Sequence, residues 1–303
     1  MISTRFFSQA LLPLVVSAVP MITAHASVPS KQPIAKTPDE LITVAKPQTN
    51  ALEVPTGSDE IIAPSNLEII AQTERVKSRE LCEADILHQV DGVNFEYDAQ
   101  IRSVSVQSNR RISSTQSGLW QMHSKAQWLF LSIEETSVFM MPSWKLHHFE
   151  HKRSGLGQSK DLEITVDHQN HSYLSETAKG DRTLNFEDEL YDSLNYQLRL
   201  QLDVACDPNT TQFHYPIAKK KGVRDYYFTR LEDERVKTEV GEFDAVKLIK
   251  EEDNGKRKTT VWLAKDLAYS VVKLDHTEGD KTDSLSISNK PKLNEPSREI
   301  SER

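Results

Sequence analysis

Nothing in this chain commits it to a reaction. It has no G-x-S-x-G elbow, no P-loop, no H-E-x-x-H and no C-x-x-C. Basic residues do not dominate: 37 Lys and Arg stand against 45 Asp and Glu, a net charge of −8 that disfavours a nucleic-acid partner. Beyond the first residues, no stretch is apolar for long enough to cross a bilayer. Cysteine is scarce, with Cys82 and Cys206 the only two. Neither has histidine or carboxylate partners at the fixed spacing that a metal site needs.

What is present begins with an address. Arg5 precedes an apolar run from Ala10 to Ile22, and Ala24-His25-Ala26 places small residues where signal peptidase reads them. Pro13 and Pro20 interrupt a run well short of the roughly 20 residues a membrane anchor requires. Residues 1–26 are therefore predicted to be a signal peptide, with Ser27 as the mature N-terminus. Because Ser27 and not cysteine follows the cleavage site, there is no lipobox. Loss of Arg5 takes the net charge from −8 to −9. The predicted location is the periplasm of a Gram-negative bacterium, with no transmembrane segment after cleavage. Thiols are oxidised there, so Cys82 and Cys206 are predicted to form one disulfide; two buried free thiols are the alternative.

Residues 27–73 carry Pro29, Pro33, Pro38, Pro47, Pro55 and Pro64 without a sustained apolar period, which predicts a disordered leader. Residues 290–303 are charged and proline-punctuated, predicting a disordered tail. Between them, 74–289 reads as a single β-rich domain. A helix opens it at about Thr73 to Gln89. Phe95, Tyr97, Ala99 and Ile101 then alternate with polar residues in a half-buried strand. From Gln127 to Ile133, Trp128 and Phe130 share one strand face while Leu129, Leu131 and Ile133 share the other, predicting a central or cavity-lining strand. Leu190, Leu194, Leu198 and Leu202 recur every four residues, predicting a helix from Glu187 to Val204 with Asn185 as N-cap. Strands resume from Phe213 to Ser288, with Gly241, Asn254-Gly255 and Gly279 at turns. The fold class is α+β, mainly β: an antiparallel curved sheet or half-open barrel with a prominent helix packed on it.

Three segments together carry a family likeness. Asp192 to Arg199 (DSLNYQLR), Trp262 to Tyr269 (WLAKDLAY) and Gly241 to Val246 (GEFDAV) resemble the bacterial domain of unknown function 3108, and Phe95-Glu96-Tyr97 fits its opening strand. The resemblance runs from about Val93 to Ser288, with Val271 standing where the family has proline. It implies a periplasmic protein whose fold is similar to outer-membrane lipoprotein carriers, in which a curved sheet cups apolar ligands beneath a lid of helices. It implies no activity.

Each remaining candidate has a plain structural reading beside the functional one. His147, His148, His151, His168 and His171 cluster in sequence, but His147 and His148 face opposite sides of a strand, and solvated strand residues account for the set. Ser270-x-x-Lys273 fits an acyl-enzyme pattern only on a helix, and here the neighbours are β-branched. Asp181, Glu187, Asp188 and Glu189 lack calcium-loop spacing. Lys219-Lys220-Lys221 falls short of the four to eight basic residues of a membrane-binding patch. Trp120, Trp128, Phe130, Trp144 and Trp262 lie on predicted strands and are the candidate ligand-binding set, lining an open apolar cavity or else packing a core. The sequence thus predicts a non-enzymatic binding protein of the cell envelope without cofactor, metal or catalytic residues. Its predicted partner is a lipid or apolar ligand, or else an envelope protein bound by a closed core. An unrecognised hydrolase is the third reading.

Overall fold

Alternation of apolar and polar residues builds most of this protein, because side chains of a strand point to opposite faces and one face must be buried. Residues 131–140 show it most plainly: Leu131, Ile133, Glu135, Ser137 and Phe139 are buried while the residues between them are half-exposed. The computed structural model describes residues 66–115, 117–155, 160–253 and 255–296. The predicted signal peptide, nearly all of the predicted leader, Asn254 and residues 297–303 lie outside the described residues. From Glu74 onward the described chain forms a compact unit, and of Val19–Thr73 only the start of the first helix, 66–73, is described.

The first half comprises helix α1 (Asn66–Val90) and strands β1 (Asn94–Ile101), β2 (Val104–Ser114), β3 (Leu119–Trp128), β4 (Leu131–Met140), β5 (Lys145–Ser154), β6 (Leu162–Asp167), β7 (Ser172–Thr177) and β8 (Arg182–Asn185). Helix α2 (Asn195–Cys206) follows. The second half is β9 (Gln212–Lys219), β10 (Gly222–Arg230), β11 (Glu234–Thr238), β12 (Gly241–Glu252), β13 (Arg257–Ala264), β14 (Ser270–Glu278) and β15 (Lys281–Ile287). All fifteen strands join one antiparallel sheet in the order β8-β7-β6-β5-β4-β3-β2-β1-β15-β14-β13-β12-β10-β9, with β11 added to β12. The join is β1 against β15, so the two halves meander outward from the middle of the sheet.

The outer edges, β8 and β9, do not pair, and the sheet is not closed into a barrel. The segment linking them fills the gap. Tyr191 forms a parallel bridge with Ile217: its N–H donates to the Pro216 carbonyl at 2.9 Å and its carbonyl accepts from Ala218 N–H at 2.7 Å. Tyr173 Oη on β7 donates to the Lys219 carbonyl on β9 at 2.9 Å, so the two edges are brought together. From there the chain turns inward as α2, whose Tyr196, Leu198, Leu200, Leu202 and Val204 are buried in the core.

Several expectations shift. The helix predicted from Glu187 begins only at Asn195, because Leu190 and Leu194 are buried from the linking segment instead, and Tyr191 is spent on the β9 edge. Asn185 ends β8 and caps nothing; Asp192 does that work, its Oδ1 accepting from Leu194 N–H at 2.6 Å and Asn195 N–H at 2.9 Å. The strand predicted across Gln127–Ile133 is a hairpin: Trp128 pairs with Leu131, and Leu129-Phe130 is its two-residue loop. Strand β2 escaped the sequence reading, since its serines and arginines mask the alternation, although Val106, Ser108, Arg110 and Ile112 all point inward. Helix α1 starts at Asn66, inside the segment read as leader. As far as residue 296 the segment read as a tail is fastened: Asn294 donates from Nδ2 to the carbonyls of His88 and Asp91 at 2.8 and 2.9 Å, satisfying groups that the end of α1 leaves open.

Candidate binding surfaces

The cup of the sheet is where the resemblance places a ligand, and α2 occupies it. Beneath the helix, an interior void of about 10 Å³ touches Phe95, Tyr97, Arg110, Ile112, Met122, Leu198 and Gln201, room for roughly one water. A larger depression of about 480 Å³ lies outside, along α1, beside Lys77, Leu81 and Asp85.

Two ties hold α2 to α1. The predicted disulfide Cys82–Cys206 is present. Beside it Asp203 pairs with Arg199 at 2.9 Å and with Arg79, and accepts from Tyr215 Oη at 2.8 Å, while Glu83 takes Arg79 at 2.9 Å and Arg199 at 3.3 Å. Burial raises the Asp203 carboxyl, opposed by Arg199, Tyr215 and Arg79.

The five candidate aromatics do not converge. Trp120 and Trp128 stand at opposite ends of β3, about 26 Å apart at some 3.3 Å per residue. Trp144, in the turn after β4, stacks on Phe139 at 5.6 Å and lies under the Arg199 guanidinium at 5.2 Å. Trp262 is buried between Lys247 and Lys273, whose ammonium groups lie 5.5 and 4.5 Å from its ring centroid, and donates to Glu234 at 3.3 Å. Phe130 is 79% exposed at the β3–β4 loop.

The polar candidates are also placed. His168 meets the Leu146 carbonyl at 2.7 Å, and His151 lies 3.0 Å from Glu135. His148 faces Glu163 on the next strand, at 3.9 Å, rather than Glu150. Among the described residues no group of three or more His, Cys, Asp or Glu could hold a metal ion. Ser270 and Lys273 both lie on β14, with Ser270 buried and Lys273 over Trp262.

Asp192 is the most perturbed carboxyl. Fully buried, it is pushed up to about 6 by desolvation, against the hydrogen bonds from Ser137, Asn195 and Leu194. Its folded-state pKa lies above the ordinary 3.8, so the folded protein binds the extra proton between about pH 4 and 6, and stability falls as pH rises through that window. The expected loss is up to about 3 kcal/mol. Asp192→Asn, which keeps an oxygen for the two backbone N–H groups and offers Ser137 a donor, should flatten that slope in urea titrations. A slope unchanged in the variant would assign it to other groups.

One rim of the sheet gathers what the sequence scatters. The β3–β4, β5–β6 and β7–β8 turns share an end of the antiparallel meander, and Lys220 on the β9–β10 turn lies near enough to Lys160 and Lys179 to interact with both. Leu129 and Phe130, 78% and 79% exposed, project at this rim. On the neighbouring turns are Lys160, Lys179, Lys220 and Lys221, with Arg153 buried near the end of β5. Burial, then Arg153 and Lys220, lower the Lys160 ammonium; burial, then Lys221 and Lys179, lower that of Lys220. Each cation is thus close enough to feel the next. Arg153 is 8% exposed, and its buried Nε has no hydrogen-bond partner among the described residues; Asp161 is the acid nearest it, accepting its backbone N–H at 3.1 Å. The signal for this rim in the sequence was Lys219-Lys220-Lys221, which supplies only part of it.

No curated protein matches the chain. Among solved structures, a β-barrel-like protein of the domain of unknown function DUF1849 from Brucella abortus is 7% identical and covers 68% of this chain and 99% of its own, with a TM-score of 0.48. A domain from Vibrio parahaemolyticus, provisionally described as an outer membrane lipoprotein-sorting protein, is 11% identical and covers 75% and 93%, with a TM-score of 0.23. The model of a family described as "Protein of unknown function (DUF3108)" matches residues 93–280. With well over half of its length matched, the chain belongs to the DUF3108 family.

Proposed function

We propose that the protein is a non-enzymatic binding factor of the bacterial cell envelope, exported to the periplasm, that engages its partner through its outer surface. The observation that carries this reading is the position of α2. Leu198, Leu202 and Val204 take the place in the cup that a bound apolar ligand would need, and the void beside Leu198 beneath the helix holds only about 10 Å³. The perturbed carboxyl supports the same reading: Asp192 is wholly buried, and each of its hydrogen bonds serves the start of α2 or holds Ser137. A catalytic carboxyl of raised pKa has to meet a substrate. The signal features of residues 1–26 and a disulfide suited to an oxidising compartment support the address.

Native mass spectrometry of the purified mature protein should show the polypeptide mass alone. An apolar fluorescent dye should find no saturable site in the folded state. A co-purifying lipid, or a saturable dye site displaced by a fatty acid, would instead establish a carrier whose helix moves aside.

A further inference from the structure

From the rim formed by the β3–β4 hairpin and the neighbouring basic turns, we infer that the protein docks on an anionic lipid bilayer, Leu129 and Phe130 entering the interface while Lys160, Lys179, Lys220 and Lys221 meet the headgroup phosphates. The inference rests on the surface-binding reading above and names the partner of that surface.

The tip itself is the first argument. A two-residue hairpin favours Gly, Asn or Asp where φ is positive. Leu129 stands there with φ +52°, a conformation costly for a leucine. A strained, exposed leucine followed by an exposed phenylalanine serves neither the turn nor the core. The backbone on the next loop also fits closely against the hairpin: a Cβ on Gly155 would meet the Phe130 carbonyl and Leu131 Cδ2, each at 2.7 Å. The tip is therefore held close by the backbone just after β5 rather than splayed loosely into solvent.

The second argument is charge. In a chain of net charge −8, Lys160, Lys179, Lys220 and Lys221 stand on these turns beside the carboxylates Asp161 and Asp181, leaving a local positive excess. Four is the lower bound of the four to eight that anionic membranes recruit. Apolar side chains flanked by basic ones are the composition of interfacial membrane anchors.

The test is co-sedimentation of the mature protein with vesicles of phosphatidylcholine alone and of phosphatidylcholine mixed with phosphatidylglycerol. Binding is expected to the mixed vesicles and to fade as salt is raised. Leu129→Gly relieves the positive-φ cost, so its thermal midpoint should hold or rise while its vesicle affinity falls. Combined with Phe130→Ser, the loss should reach about tenfold or more. Lys179→Gln, Lys220→Gln and Lys221→Gln should each weaken binding about fivefold. Equal binding to both vesicle types, unchanged binding of the tip variants, or saturation of the cluster by inorganic phosphate without vesicle binding would each overturn the inference. None of these outcomes bears on whether the core is closed, which the dye and mass measurements decide separately.

Discussion

Replacing Cys82 and Cys206 with serine should lower the stability of the folded protein by about 4–5 kcal/mol, the largest single effect expected of any change to this chain. The bridge joins residues 124 apart, and the chain-entropy account of cross-links gives about this figure for a loop of such length. Helix α1 has few other ties. Ile86, Leu87 and Val90 bury its C-terminal turns, while Arg79 and Glu83 reach α2 only through partly exposed ion pairs, which contribute little individually. Urea unfolding with and without reductant measures the difference. A change below about 1 kcal/mol would mean that the unbridged chain already holds these helices together.

Leu202→Ala should be the next most damaging change, costing about 2–5 kcal/mol. Leu202 is wholly buried on the face of α2 that fills the cup. The sheet around it is braced on both halves and cannot collapse onto the missing methyl groups, so a cavity term adds to the lost transfer energy. This variant also bears on function. An apolar cavity of that size stays dry and accepts small apolar molecules, so the variant should gain a dye site that the wild type lacks. A cost under about 1 kcal/mol with unchanged dye binding would show α2 to be loosely seated, and the closed-core reading would fail with it.

Strands were legible where one face meets water and the other meets the core. Phe95-Tyr97-Ala99-Ile101 and the first residues of β9 read correctly because burial alternates along them, whereas β13, buried almost throughout, read as a strand from its β-branched run. Where both faces are mixed, the alternation fades. The inward set of β2 includes Ser108 and Arg110, and a run such as Gln127 to Ile133 gives no sign that it reverses, because Leu129-Phe130 carries none of the residues that mark a turn. The candidate surface was less legible still. Trp120, Trp128, Phe130, Trp144 and Trp262 share a residue type and not a place, whereas Arg153, Lys160, Lys179 and Lys220 share a place across three separate turns.

By itself the sequence determined the class of the fold, the family and the partnership of the two cysteines, since each follows from local periodicity, from matched segments or from counting. Only the tertiary structure decided where α2 begins. The four-residue leucine period runs unbroken from Leu190 to Leu202, but Tyr191 completes the β9 edge and Asp192 gathers the first free N–H groups of the helix. A buried leucine satisfies the same hydrophobic demand in a loop as in a helix, so the pattern cannot tell them apart. The closing of the cup and the gathering of charge at its rim depend in turn on how the two sheet edges approach, which is fixed by contacts such as Tyr173 to Lys219, 46 residues apart.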